Sequence, residues 1–261
     1  QSLVEGRHGR ALNAAHTTAS LPSRPAFHKP PLTVECWALA RTRAKFNVFV
    51  ANNLKSSGEH WELYSFKDKG DFSVYMPGYS PNTIRSEAII TDGKWHYLAM
   101  QFDGQEVRMF VDGKEVQRQK LKRVGKPGPL GTLDLGGYVP GKVGCDGAVD
   151  DVRISNILRP ITEPTPAPFQ SDQHTVGLWN LDAVTAGRFT DQSAGSKTDS
   201  VRRTKRKLAE VEEAGRRVDM QLADLEPPRG YIGFRRKPGQ THLLLRGDPT
   251  KPGTPVLPRG L

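Results

Sequence analysis

The sequence is poor in the residues that mark most enzyme and membrane classes. Its 261 residues hold only two cysteines and four methionines. Two cysteines far apart exclude a disulfide-dense scaffold and a CxxC-type zinc or redox site. No apolar run approaches the roughly 20 residues that a membrane helix needs. Hydrophobic residues make up 36%, against about 45–50% in ordinary globular domains, so part of the chain is expected outside a core. The chain starts at Gln1 without a basic-then-apolar leader, which leads us to expect a processed or excised piece.

Catalytic signatures are missing as well. No HExxH, GxSxG or P-loop string occurs. Glycosidases built on β-sandwiches place carboxylates at alternate positions of one strand, so that both face one cleft. Asp150 and Asp151 are adjacent, and on a regular strand they would face opposite sides. The seven histidines are scattered, with His60, His96 and His242 in strand-like runs. No catalytic residue is assigned, and the chain reads as a non-enzyme.

The formal charge of +10 is unevenly spread. Residues 197–261 carry 15 Lys+Arg against 8 Asp+Glu, which leaves 23 against 20 of the totals for residues 1–196. The cluster Arg202, Arg203, Lys205, Arg206 and Lys207 has no interleaved aromatic residues. It reads as a solvated helix face, and no nucleic-acid partner is expected.

What is present is a strand pattern. In Thr91–Gly113, His96, Leu98 and Met100 alternate with Tyr97, Ala99 and Gln101, and Val107, Met109 and Val111 alternate with Arg108 and Phe110. Asp103-Gly104 and Asp112-Gly113 supply the φ > 0 turns of a β-meander. Further strands are expected at 32–39, 46–52, 59–66, 71–76, 84–90, 114–118, 131–136, 148–154 and 175–181. Many short strands with frequent turns predict an all-β sandwich or jelly roll.

The same strings carry a resemblance. Asp92-Gly93-Lys94-Trp95-His96-Tyr97, then Phe102-Asp103-Gly104, then Phe110-Val111-Asp112-Gly113-Lys114 resemble the middle of a laminin-G-like domain of the concanavalin A-like type. Gly9-Arg10-Ala11-Leu12 resembles its opening strand, Leu32–Trp37 its second, and Gly147–Asn156 its closing strand. The resemblance implies a jelly-roll sandwich over 1–182 that ends on Thr175–Asp182. It also implies a non-catalytic module at the cell surface, in the periplasm or secreted. Rim loops would recognise a glycan or an extracellular protein. Two other roles stay open: an accessory to a polysaccharide-degrading or redox enzyme assembly, and a structural oligomerising spacer.

For a glycan one looks for aromatic rings beside amides and carboxylates. Trp61, Tyr79 and Tyr138 are the candidate ligand-binding residues, while Trp37, Trp95 and Trp179 read as core. Laminin-G-like domains often hold calcium at a sandwich rim, and the resemblance points to Asp146, Asp150 and Asp151, with Asn52 or Asn53 more remote. The favoured reading is that Asp150 or Asp151 hydrogen-bonds a neighbouring turn while the other faces solvent, so no metal ligand is assigned. The first and last strands of such sandwiches are often neighbours, which makes a Cys36–Cys145 bond geometrically open, beside two buried thiols.

Beyond the sandwich, residues 183–197 read as a linker. Val201, Leu208, Gly215 and Leu222 repeat every seven residues, as do Thr204, Val211, Val218 and Leu225. This heptad pattern predicts an amphipathic helix over 198–226, able to form a homo-oligomeric coiled coil. Pro227-Pro228 ends it. Residues 227–261 are rich in Pro, Gly and Arg and are expected to be an extended tail. Thr241–Leu261, with Arg246-Gly247-Asp248-Pro249 and Pro252-Gly253, resembles the opening of a C-terminal domain of large secreted planctomycete proteins.

Overall fold

The computed structural model describes residues 2–163, 166–185, 188–193 and 211–218, and the backbone of 241–244 and 252–256. The chain divides into two compact units, Gln1–Lys205 and Arg206–Leu261. The first begins with β1 (Leu3–Glu5), β2 (Arg10–Leu12), β3 (Ala19–Pro22), β4 (Leu32–Ala40) and β5 (Asn47–Asn52). Next come β6 (Trp61–Ser65), β7 (Asp71–Tyr75), β8 (Tyr79–Ser80), β9 (Thr83–Ile89), β10 (Trp95–Phe102) and β11 (Glu106–Val111). The unit continues through β12 (Lys114–Lys120), β13 (Lys122–Arg123), β14 (Thr132–Leu135) and β15 (Gly137–Tyr138). It closes with β16 (Val143–Gly144), β17 (Gly147–Ser155) and β18 (Thr175–Trp179).

Two antiparallel sheets make the sandwich. One has eight strands in the order β1-β2-β17-β4-β10-β11-β12, with β18 also on β17; the other has six, β3-β14-β5-β6-β7-β9. The all-β sandwich expectation is met. The Asp-Gly turns form as the sequence predicts: Asp112 and Gly113 both take positive φ, 51° and 81°, the geometry of a primed hairpin turn. A side chain at Gly113 would meet the Thr162 carbonyl at 2.6 Å. At the preceding turn, Asp103 Oδ1 accepts the N–H groups of Gln105 and Glu106 at 2.7 and 2.6 Å.

Period-2 alternation decides which side chains form the core. Val34, Cys36 and Ala38 of β4, Leu98 and Met100 of β10, and Val107 and Met109 of β11 turn inward from the large sheet. They meet Phe49, Trp61, Leu63, Phe72 and Val74 from the smaller one. Each large apolar side chain buried there contributes about 1.5–3 kcal/mol relative to exposure. Cys36 and Cys145 are both buried and free.

The outer face of the large sheet is also covered. Trp37, Tyr97, Ala99 and Phe110 pack with Phe169 and Leu178. Beneath this layer Glu35 is buried among donors. Arg153 gives it two hydrogen bonds at 2.8 and 2.9 Å, and the Tyr97 hydroxyl donates at 2.6 Å. Burial, then the neighbouring Glu35 charge, push the Tyr97 hydroxyl pKa up. Arg159 donates to both oxygens of Asp172, which ties the crossing segment down.

In the second unit, residues 211–218 are helical, and β19 (Thr241–Leu244) pairs antiparallel with β20 (Pro252–Val256). A strand pair therefore stands within the expected extended tail. The linker and the helix over 198–226 fall partly outside the described residues. The basic cluster at 202–207 and the Arg246-Gly247-Asp248 string lie wholly outside them.

Candidate ligand-binding groove

The outer face of the six-stranded sheet gathers aromatic residues by register. Glu62, Tyr64 and Phe66 alternate with the inward Trp61, Leu63 and Ser65. Across the sheet, Ala51, Glu62, Tyr75 and Thr83 form one row. Val48, Tyr64, Ser73 and Arg85 form the next. A register shift between Val48 and Val50 keeps Val48 and Ala51 on this side.

These rows floor a groove of about 220 Å³. The Phe46 and Phe66 rings meet edge to face, 5.2 Å apart, and Tyr64 lies 6.0 Å from Phe46. Phe46 is 39% exposed at the mouth. Two charge pairs border the aromatic floor. At one end Lys55 Nζ stands 3.0 Å from Glu62 Oε1, and His60 Nε2 lies 3.2 Å from the same oxygen. Neither contact has hydrogen-bonding angles, so this buried oxygen accepts no protein hydrogen bond. The Lys55 ammonium also sits over the rings of Tyr75 and Tyr138, at 5.4 and 4.8 Å. At the other end the Arg85 guanidinium lies 3.7 Å above Phe66 and donates to both oxygens of Asp71, at 3.0 and 2.6 Å.

The three residues singled out in the sequence sit differently. Trp61 is 1% exposed; its indole N–H donates to the Phe27 carbonyl at 2.8 Å. Parity turns it into the core, and it offers no ring face to a ligand. Tyr79 is buried against Phe102, with its hydroxyl accepting from Arg123 at 2.9 Å. Tyr138 is buried beside His60, and its hydroxyl accepts the Lys55 N–H at 3.0 Å. Of the three, Tyr138 borders the groove, through Lys55. The residues that floor it come from three neighbouring strands or their ends, Phe46 before β5, Tyr64 and Phe66 on and just after β6, and Tyr75 on β7, so that only the alternation of Tyr64 and Phe66 is visible in the sequence.

A second cluster lies under the closing strand, and it corrects the expectation for Asp150 and Asp151. Asp150 pairs with Trp37 and Arg153 with Glu35, so β17 takes three steps where β4 takes two. Asp151 absorbs the extra residue with φ 45°. This bulge turns both carboxylates to one side, where their oxygens and a His8 ring nitrogen lie within 4.8 Å of one another. Burial, with each carboxylate near further negative charge, pushes both pKa values up to about 7. Burial lowers that of His8. Both carboxylates are fully enclosed, out of reach of a substrate.

Calcium takes about 6–8 oxygens; this cluster offers two buried carboxylates and a His8 ring nitrogen, and their oxygens already have partners except Asp151 Oδ1, which accepts no hydrogen bond. Asp150 accepts the N–H groups of His8 and Asp151, at 3.0 and 2.9 Å. Asp182 Oδ1 accepts the Arg10 N–H at 2.8 Å. His8 Nδ1 stands 2.5 Å from Asp151 Oδ2. The carboxylates anchor the turn Gly6–Gly9 instead, where a side chain on Gly9, at φ 66°, would strike Asp182 at 2.2 Å.

The laminin-G-type family described as the concanavalin A-like lectin/glucanases superfamily matches residues 13–165. The chain belongs to this superfamily. Among solved structures, this superfamily member is similar to a candidate carbohydrate binding protein from Bacteroides ovatus. The two share 13% identity at a TM-score of 0.53, over 67% of this chain and 52% of the other. The chain thus spans about half the length of that protein. It is also similar to the Ruminococcus gnavus IT-sialidase CBM40, with 13% identity, 61% and 92% coverage and a TM-score of 0.46. For domains LG4-5 of the mouse laminin α1 chain the values are 18%, 59%, 46% and 0.40. At such identities the likeness shows the fold.

Proposed function

We propose that the sandwich is a non-catalytic binding module for carbohydrate, with its ligand in the groove on the outer face of the six-stranded sheet. The observation that carries this reading is the aromatic floor of Phe46, Tyr64, Phe66 and Tyr75, with the half-exposed Lys55 ammonium at its end. A sugar offers C–H faces that stack on rings and hydroxyl oxygens that accept from such an ammonium. Of the two outer sheet faces this is the open one, because the opposite sheet is covered by the segment that carries Phe169. Such a module would act at the cell surface, in the periplasm or after secretion. It could serve an enzyme elsewhere in a parent protein.

The test is a glycan-array screen of the purified chain beside Phe46→Ala and Tyr75→Ala, with calcium and with a chelator. Binding weakened by both substitutions and unchanged by chelation supports the reading. Binding that ignores both substitutions moves the ligand elsewhere. Silence across the array shifts the assignment to a protein ligand.

A further inference from the structure

The two cations at the groove face outward, and their counter-charges lie behind them. The Lys55 side chain is 41% exposed against 4% for Glu62, and Arg85 is 34% exposed against 2% for Asp71. The other residues that line the groove, among them Phe46, Tyr64, Phe66 and Thr83, carry no charge. An anion entering from solvent therefore meets a cation first at either end. Coulomb energy falls with distance, so the nearer cation outweighs the carboxylate behind it.

Both cations keep unused donors and are held in place. The Lys55 contact with Glu62 is not a hydrogen bond, so its N–H groups remain open to a ligand. Arg85 gives Nε and one Nη2 N–H to Asp71. The other donors of the guanidinium form its end-on fork, which takes a carboxylate through two parallel bonds. Asp71 on one side and the Phe66 ring 3.7 Å below fix that fork in orientation. Glu62 and Phe66 mark the two ends of the floor and lie four residues apart along β6 and its end, about 13 Å of extended backbone. The cations are therefore spaced for a chain of sugars rather than a single ring.

We propose that the groove takes an acidic oligosaccharide, with one sugar carboxylate on the Arg85 fork, a second at the Lys55 ammonium, and the rings between them on Phe66, Tyr64 and Tyr75. This rests on the carbohydrate reading and names its ligand class. Neither cation leaves its buried partner on binding, so neither Glu62 nor Asp71 is stranded. The aromatic floor supplies the contact area, and the two cations select charge and length.

The experiment is titration calorimetry on the full chain with a panel of uronate-bearing tetrasaccharides, their methyl esters, and neutral tetrasaccharides, at low and moderate salt. The esters keep the rings and lose the charge. The tightest acid is expected to bind about tenfold tighter than its ester, with the difference shrinking as salt rises. Lys55→Gln, at an exposed position, should move that ratio toward one. So should Arg85→Lys, which keeps a cation beside Asp71 but loses the fork. Circular dichroism checks each fold, and either variant alone suffices. Esters or neutral chains that bind as tightly as the acids, or a ratio that neither variant moves, overturn this inference and leave the carbohydrate reading standing. Binding of none of these classes, or binding indifferent to Phe46→Ala, defeats the carbohydrate reading and this inference with it.

Discussion

His8 Nδ1 stands 2.5 Å from Asp151 Oδ2, beneath a bulge that brings two neighbouring carboxylates to the same side of their strand. Burial drives His8 toward neutral and raises Asp150 and Asp151 from 3.8 to about 7. The cluster therefore shares protons at neutral pH. A carboxyl with a raised folded pKa holds a proton that the unfolded chain releases. Its contribution is full below pH 3.8 and is lost as pH rises through about 7. The lowered imidazole opposes this, but one such group faces two carboxyls. Melting temperature should fall between pH 5 and 8, and Asp151→Asn should remove about half of that fall. Parallel curves for the two proteins would contradict the assignment.

Glu35 gives a second prediction. It receives Arg153 twice and the Tyr97 hydroxyl once, all inside the covered face of the large sheet. Removing one partner of a buried pair leaves the other charge stranded. Glu35→Ala should therefore cost about 3–5 kcal/mol, read by urea unfolding. A loss under about 1 kcal/mol would place this pair with exposed ones.

The buried cysteines give a third. Burial pushes the Cys145 thiol up to about 12 and raises Cys36 as well. Thiolate is the reactive form, so both should resist Ellman's reagent in the folded chain at pH 8 and react once it is unfolded. Rapid reaction without denaturant would show that one of them opens to solvent.

These features differ in how far the sequence discloses them. The meander from Trp95 to Lys120 was legible because alternation and Asp-Gly turns are local signals, and both appear where expected. The short opening strands β1 and β3 were not, since three or four residues carry too little pattern. The bulge at Asp151 was hidden for a different reason. It depends on the register with Glu35 and Trp37, which are more than a hundred residues away in the chain. Trp61 was misjudged because its parity became visible only from the pairing of β6 with β5 and β7.

The helix supports a fourth prediction. Val211 and Val218, seven residues apart on the heptad, are 68% and 53% exposed. Apolar residues at that spacing suit a second copy of the same helix. Sedimentation should show a self-associating chain that becomes monomeric without residues 198–261. An unchanged mass would remove the coiled-coil reading.

Phe46 and Trp61 separate binding from stability. Trp61 lies in the core with its N–H satisfied, and truncation to Ala should cost about 3–5 kcal/mol. Phe46 is partly exposed at the groove mouth and packs on Phe66 and Tyr64, so Phe46→Ala should cost about 1 kcal/mol or less. For glycan affinity the order should reverse, with about tenfold or more lost on Phe46→Ala. Trp61→Phe, which keeps a ring in the core, should bind as the parent does. The two variants are compared by thermal unfolding and by titration with one uronate-bearing tetrasaccharide. If Trp61→Phe loses affinity while Phe46→Ala keeps it, the ligand does not lie on the outer face of the six-stranded sheet.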